Sequence, residues 1–302
     1  MSENPLTFGS EKTFAETGQG RLEARIGNAV HYYMCGKLGR SQQEADRRTQ
    51  LELERGLARE TLDMLAAYGL TVEGKRVLDI GAGMGAMTTE IACRGAAAVM
   101  GIEPDAAWRL LARDRVSEVS VSPAHIVAAL GEQIPFRGAS FDLVVSLKVL
   151  EHCADAPGVI REAWRVLRPG GIFYFNTENY LSFWEPHYNV PWLPLLPKKL
   201  GALYLRLRGR SPDFLYNAIH YTTLYSVRRA WKAAGFVSCR DERIECVIAG
   251  APPGMLTWKK RLLRAVAGIL PATRVARMAV AAATLSRVFR IELDDTLRKP
   301  ET

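Results

Sequence analysis

The sequence predicts an α/β fold built on a doubly wound, mostly parallel sheet, and three observations predict it. From Lys75 onward, short apolar runs alternate with helical patterns. That spacing suits βαβ units, whose right-handed crossovers lay helices on both faces of a sheet. The run Val77-Leu78-Asp79-Ile80-Gly81-Ala82-Gly83-Met84-Gly85 takes a buried strand through three glycines into a helix; such a turn is tight and lets a ligand approach bare backbone. Glu103 ends the next strand, where a carboxylate can accept hydrogen bonds from both hydroxyls of a ribose.

The elements follow in order. Residues 1–24 are polar and aperiodic and read as a mobile arm, followed by a helical cap over 25–70. In the cap, Ser41-Gln42-Gln43-Glu44 fits a capping box, and one long helix is expected from there to about Tyr68, stopped by Gly69. The strands are expected at Arg76–Ile80, Ala98–Glu103, His125–Leu130, Phe141–Ser146 and Gly171–Thr177, with helices near Met84–Arg94, Asp105–Arg113 and Ala156–Leu167. Residues 180–221 break this rhythm with Pro186, Pro191, Pro194 and Pro197 in an aromatic, Leu-rich insertion. A helix resumes near Ser226–Ala234 and closes at Gly235, and Phe236–Arg243 and Ile244–Ala249 supply the last two strands. The sheet domain is thus 71–250, and 251–302 reads as a basic, amphipathic helical tail.

Composition narrows the class. Apolar residues at 48% and charged residues at 24% are those of a globular chain with a full core. Five scattered cysteines, Cys35, Cys93, Cys153, Cys239 and Cys246, form no C-x-x-C pair. With a polar, charged start at Met1–Gly20, they predict a reducing cytoplasm and neither a disulfide framework nor a thiolate zinc site. The longest charge-free stretch, Phe214–Val227, is too short and too polar to span a bilayer, which takes ~18 or more apolar residues. The net charge of +8 is local: Lys259, Lys260, Arg261, Arg264, Arg274, Arg277, Arg287 and Arg290 stand in a window without Asp or Glu.

The spacing Gly-x-Gly-x-Gly brings the third glycine one residue early for a dinucleotide fingerprint. Four further motifs follow it: Gly131-Glu132-Gln133-Ile134-Pro135-Phe136, Phe141-Asp142-Leu143-Val144-Val145-Ser146, Val149-Leu150-Glu151-His152 and Leu167-Arg168-Pro169-Gly170-Gly171. On these residues, over roughly Lys75–Ala249, the sequence resembles the class I S-adenosylmethionine-dependent methyltransferases. The resemblance implies a seven-stranded Rossmann-like sheet, S-adenosyl-L-methionine as methyl donor and S-adenosyl-L-homocysteine as product. It implies that Asp79 and the turn Gly81, Ala82, Gly83 and Gly85 hold the methionine part, and that Glu103, with Pro104 after it, holds the ribose. Gly131, Glu132, Gln133 and Ile134 would lie against the adenine. Many relatives place an aspartate just before that stretch; Leu130 stands there here, which leaves Glu132 to take its place. Ser146, Leu147 and Lys148 would face the sulfonium. This last stretch does not match the Asn/Asp-Pro-Pro-Tyr/Phe pattern of many enzymes that methylate planar amino nitrogens.

The transfer itself asks the protein to align the nucleophile at ~3–3.5 Å and to exclude water. An oxygen nucleophile also needs a base, most often histidine. The candidates are His152, His187 and His220; His187, in Trp184-Glu185-Pro186-His187-Tyr188, is favoured because a Glu-Pro-His segment resembles one in a subset of the family. His31 is more remote, and His125 reads as structural. Beside the fifth strand stand Asn176, Glu178 and Asn179; one carboxylate makes a poor magnesium site, so metal independence is expected.

The acceptor is expected to be a small molecule, a glycan or a lipid-linked intermediate, chosen by the cap and the 180–221 insertion. Carbon methylation of a quinone-like ring, an RNA substrate and a catalytically silent cofactor-binding scaffold are the alternatives. The basic residues of 255–290 suit an anionic membrane surface at its inner face; a helical layer packed on the enzyme or on a second subunit suits them equally. Nucleic acid is disfavoured, since no recognised binding module accompanies the charge.

Overall fold

The computed structural model describes residues 21–119, 124–239 and 292–301. The N-terminal cap contributes α1 (Leu22–His31), which continues as a π-turn over Tyr32–Lys37, then α2 (Gln42–Leu53) and α3 (Gly56–Ala67). Next come β1 (Arg76–Ile80), α4 (Ala86–Cys93), β2 (Ala98–Ile102), α5 (Ala106–Glu118), β3 (Ala124–Val127), β4 (Phe141–Leu147), α6 (Ala156–Val166) and β5 (Leu167–Glu178). The insertion holds a ribbon of β6 (Trp184–Glu185) and β7 (Val190–Pro191), then α7 (Lys198–Leu207) and α8 (Asp213–Asn217). The chain returns to the sheet through α9 (Leu224–Ala234), β8 (Val237–Ser238) and β9 (Glu292–Arg298).

One seven-stranded sheet runs β3-β2-β1-β4-β5-β9-β8. Strands β1 to β5 are parallel, and β9 runs antiparallel between β5 and β8. Side chains alternate between the two faces, as the pleat requires. Leu78, Ile80, Val144 and Phe173 pack with Val159 and Ile160 of α6 and Trp231 of α9. Val77, Val99, Leu143 and Val145 pack with Leu62 and Leu65 of α3 and Ile91 of α4. Burial on both faces explains why these strands read as near-continuous apolar runs.

A third core lies beyond the carboxyl ends of the strands. Ile26, Val30 and Leu38 of the cap share it with Tyr188, Trp192, Leu205, Phe214 and Leu215 of the insertion. Cap and insertion, read as separate segments from the sequence, are therefore one layer over the sheet edge.

Three expectations are corrected. The long cap helix is two helices: Arg55 adopts φ 55° between them, and its guanidinium is held 2.9 Å from Glu90 of α4. The cap starts earlier than expected, since α1 begins at Leu22; residues 1–20, most of the expected arm, lie outside the described residues. The end of the expected helical tail is strand β9, registered from Ile172↔Arg298 to Glu178↔Glu292. Apolar Leu293 and Leu297, both buried against the sheet, fix its face. Residues 240–291, which include the expected strand Ile244–Ala249 and the basic window 255–290, lie outside the described residues. The capping box at Ser41, with Glu44 closing it, and the stops at Gly69 and Gly235 stand as read.

Ending the chain at residue 291 should therefore abolish a cooperative thermal transition. It strips β5 of its antiparallel neighbour and removes two buried leucines, at about 2–5 kcal/mol each, against a total stability of about 5–15 kcal/mol. A sharp transition retained by the truncated chain would contradict the sheet order.

Candidate active site

The direction in which the sheet grows reverses at β1: the chain adds β2 and β3 on one side, then crosses to β4 on the other. At such a switch point the loops leaving two neighbouring strands turn to opposite faces and leave a crevice. Ile80 of β1 pairs with Ser146 of β4 at its floor.

The turn after β1 is shaped by its glycines. Gly81 has φ +74°, and a Cβ there would meet Val149 Cγ2 at 2.3 Å. A Cβ on Gly85, φ +83°, would meet the Ala112 backbone at 2.9 Å. Gly83, φ +54°, is different: its Cβ would reach nothing nearer than the Trp108 ring at 3.8 Å. Two glycines thus serve close packing, while the middle one borders free space. Gly81 and Ala82 donate their N–H groups to the Ile102 carbonyl at 2.9 and 3.0 Å, which pins the turn to β2.

Asp79 is buried and accepts from the Thr88 hydroxyl at 2.6 Å. It fixes α4 beneath the turn, and burial pushes its carboxyl up to about 6 against that hydrogen bond. Glu103 follows β2 and accepts from Gly83 N at 2.9 Å and Asp105 N at 2.9 Å. Burial, opposed by these two N–H groups, pushes it up to about 7. Pro104 carries the chain to Asp105, which caps α5 through Ala107 N and Trp108 N. The Gly131–Ile134 loop lies against the end of β1, since a Cβ on Gly131 would sit 3.2 Å from Ile80. The loop is anchored by Ile134 N to Glu162 and by Arg165 to the Ile134 carbonyl. Glu132 accepts weakly from Asp155 N at 3.4 Å, and Gln133 is exposed. Ser146 is fully buried and its Oγ has no partner among the described residues. Leu147 is half-buried beside it, and Lys148 adopts φ 57° and reaches Glu178 at 2.7 Å.

Over the other side of the crevice the structure brings His152 and His187 together, with ring centroids 5.1 Å apart. Phe214 lies against both, at 5.8 and 5.4 Å, and Tyr33 of the cap packs edge-on to Phe214 at 5.5 Å. His152 Nδ1 meets the Ala218 carbonyl at 2.6 Å. A carbonyl only accepts, so that nitrogen carries the proton. Burial pushes the His152 imidazole down, partly offset by Glu151. His187 Nδ1 meets Glu185 Oε1 at 2.9 Å. Burial opposes protonation of His187, but the carboxylates of Glu185, Glu178 and Glu151 outweigh it and hold the group above the ordinary imidazole value. With Nδ1 as donor, Nε2 is left as the basic nitrogen. His220 donates its backbone N–H to the Glu151 carbonyl at 2.6 Å; its imidazole stands outside the cluster that His152 and His187 form.

Glu185 was quoted in the sequence only as a neighbour of His187. It is fully buried and also accepts from Tyr188 N at 2.6 Å and Tyr180 Oη at 3.3 Å. Arg40 of the cap, itself paired with Glu44, donates to the carbonyls of Pro186 and His187 at 3.1 and 2.9 Å. The place of Glu185 two residues before His187 was the available signal, since the chain there turns back so that Glu185 also accepts from Tyr188 N.

The carboxylates differ in how far they are satisfied. Glu151 accepts from Thr177 Oγ1 at 2.7 Å through Oε2, and its buried Oε1 has no partner among the described residues. Burial pushes Glu178 up to about 7 despite Lys148. Ligand atoms of Glu151, His152 and His187 lie within 4.8 Å of one another, a set able to hold a divalent cation. Its members come from two distant segments, the turn after β4 and the insertion, and not from the fifth strand, where a metal site was considered from the sequence.

This sheet, with a glycine turn and an adjoining carboxylate at its switch point, defines a Rossmann-like cofactor-binding protein. A methyltransferase-domain family matches residues 78–175. A probable S-adenosylmethionine-dependent methyltransferase from Mycolicibacterium smegmatis is 32% identical over 200 residues, which are 65% of this chain and 72% of that protein. The ubiquinone biosynthesis O-methyltransferase of Pseudomonas fluorescens is 41% identical over 113 residues, 36% of this chain. The chain spans about half of that enzyme's length, 47%. Phospholethanolamine N-methyltransferase 2 of Haemonchus contortus, solved with S-adenosylhomocysteine, shares the fold at 16% identity and a TM-score of 0.52, over 97% of this chain and 61% of that one. The chain belongs to the S-adenosylmethionine-dependent methyltransferases.

Because the Glu103 carboxyl is raised, the native state keeps its proton in a pH range where the unfolded chain has lost it. Its stabilising contribution is complete below the unfolded value near ~4.3 and falls away as pH rises to about 7. Across that window the wild-type unfolding free energy should fall more steeply than that of Glu103→Gln, by on the order of 2–3 kcal/mol. Denaturant melts at a series of pH values measure the two slopes, and parallel curves would contradict the buried, proton-holding Glu103.

Proposed function

We propose that the chain transfers a methyl group from S-adenosylmethionine directly to an oxygen of a small-molecule, glycan or lipid-linked acceptor. The observation that carries this reading is the Glu185–His187 pair, set across the crevice from the glycine turn with Nε2 of His187 as its basic nitrogen. The name of the Pseudomonas relative, an O-methyltransferase, supports oxygen as the atom methylated.

The residues present fit the cofactor. Gly83 borders open space, Glu103 keeps lone pairs beyond its two N–H bonds, and Ser146 Oγ is a buried polar atom in want of a partner. In this reading the Gly81–Gly85 turn holds the methionine part above the Asp79–Thr88 clamp, and Glu103 takes the ribose hydroxyls. The Gly131–Ile134 loop covers the adenine, and Ser146 and Leu147 line the reacting end. When bound, S-adenosylmethionine supplies a methyl group on a positively charged sulfur that leaves readily. Tyr33 and Phe214 wall the acceptor side and exclude water, which strengthens each charge within. His187 Nε2 takes the acceptor's hydroxyl proton as the oxygen–carbon bond forms, while Glu185 holds the ring's tautomer and steadies the imidazolium. His152 keeps its Nδ1 proton on Ala218 and supports the His187 ring from the side.

A second reading is favoured by the Glu151–His152–His187 cluster: a divalent cation bound there would acidify the acceptor hydroxyl in place of the base.

His187→Ala should lower methyl transfer into cell-extract fractions by about 10²–10⁴-fold, while calorimetric affinity for S-adenosylhomocysteine stays near wild type. The rate should rise with pH through a value above the usual imidazole pKa. Glu185→Gln should move that limb to lower pH, because one of the carboxylates that raise His187 is gone. Full activity in His187→Ala removes the base. Chelation separates the two readings: EDTA should leave the wild-type rate unchanged, whereas a loss restored by added divalent ion assigns the role to the metal.

A further inference from the structure

We propose that the exposed face of α7, with the turn that leads into it, docks on an anionic membrane surface. Helix α7 is apolar on two sides. Its inner side, Gly201, Ala202 and Leu205, is buried, and it is packed so closely that a Cβ on Gly201 would meet Trp192 at 2.6 Å. Its outer side carries Leu200, Leu203 and Leu207, exposed at 55%, 54% and 80%. The spacing i, i+3, i+7 puts these three on one stripe. Among the described residues, the inner face is already filled and these three leucines have no part in a core.

Leu193 and Leu195 in the turn before α7, and Phe183 of the insertion, are exposed as well, at 61%, 47% and 56%. The Trp192 N–H donates to the Phe183 carbonyl, which holds the two segments side by side. Most of the large apolar side chains exposed among the described residues fall between Phe183 and Tyr216. Large exposed apolar patches mark interaction sites on proteins or membranes.

Charge selects the occupant. On a helical wheel Lys199 and Arg206 fall beside Leu203, along the edge of the stripe. Both are exposed, and neither has an ion-pair partner among the described residues. Between Pro186 and Pro212 there is no Asp or Glu, and five lysines and arginines. A second protein surface would need acidic groups placed to match; leucines beside uncompensated cations, lying flat on the outside, match acyl chains beneath phosphate headgroups. The surface differs from the basic window 255–290, and it belongs to the insertion that supplies His187. The inference does not depend on the acceptor or on turnover, since vesicle binding is read with neither present.

Flotation of the full chain with vesicles tests it. Vesicles of phosphatidylcholine with a third phosphatidylglycerol should carry the wild type, and pure phosphatidylcholine should carry little. Leu200→Gln/Leu203→Gln/Leu207→Gln should weaken the binding at least tenfold, with the thermal transition and the S-adenosylhomocysteine affinity unchanged. Lys199→Glu/Arg206→Glu should weaken it and blunt its dependence on salt. Binding by the triple variant equal to wild type would assign the contact elsewhere, residues 240–291 included, and overturn the proposal. So would failure of the wild type to float, or a triple variant that only changes the oligomeric state. Because cofactor affinity is read separately, loss of vesicle binding and failure of the methyltransferase reading give different results.

Discussion

The whole arrangement depends on one close approach, that of Gly81 to Val149. Parallel strands joined by right-handed crossovers present all their loops at the same edge, and reversal at β1 sets the β1 and β4 loops side by side. The two loops come so near that no side chain fits on Gly81. That contact fixes the turn that opens the cofactor side, and it also fixes the segment that carries Glu151 and His152. Both halves of the crevice therefore share one geometric reference, and neither can shift without the other.

The same edge collects buried carboxylates, and their surroundings divide their labour. Asp79 and Glu103 face backbone and hydroxyl donors and shape the turn. Glu185 has a donor on each oxygen, three in all, which suits a group that holds a ring still. Glu151 and Glu178 each keep a buried oxygen without a partner among the described residues, and such oxygens are costly to bury without a use. The cap is what makes this density tolerable. Arg40 reaches across to the backbone of the Pro186–His187 turn, and one core joins both segments, so the ring positions are set by packing as much as by charge.

Much of the sheet was legible in the sequence because local signals agreed. Strand periodicity, the glycines after Ile80, Ser41 as a cap and Gly69 and Gly235 as stops each act within a few residues, and each stands in the structure. The failures have a common cause in distance. Arg55 breaks the cap helix because its partner Glu90 is on another element. Strand β9 was hidden because its pairing with β5 leaps across more than a hundred residues, and its Glu292, Asp294 and Asp295 gave it the look of a solvated end. On the candidate site, the local motif singled out His187, and the structure places it against His152. Its partner Glu185, the Glu151 oxygen without a described partner and the metal-capable trio were not singled out, since they exist only once the insertion has folded back over β4.

The place of β9 in the sheet bears on how the molecule is made. The β5 edge from Ile172 to Glu178 is paired by residues that emerge from the ribosome only after 240–291 have been synthesised. Through that interval β5 presents a row of unsatisfied N–H and C=O groups on a strand of Ile, Phe and Tyr, the kind of edge that recruits a neighbouring chain. The basic segment that delays closure also brings like charge to each nascent copy, and mutual repulsion between copies would keep those open edges apart until β9 arrives.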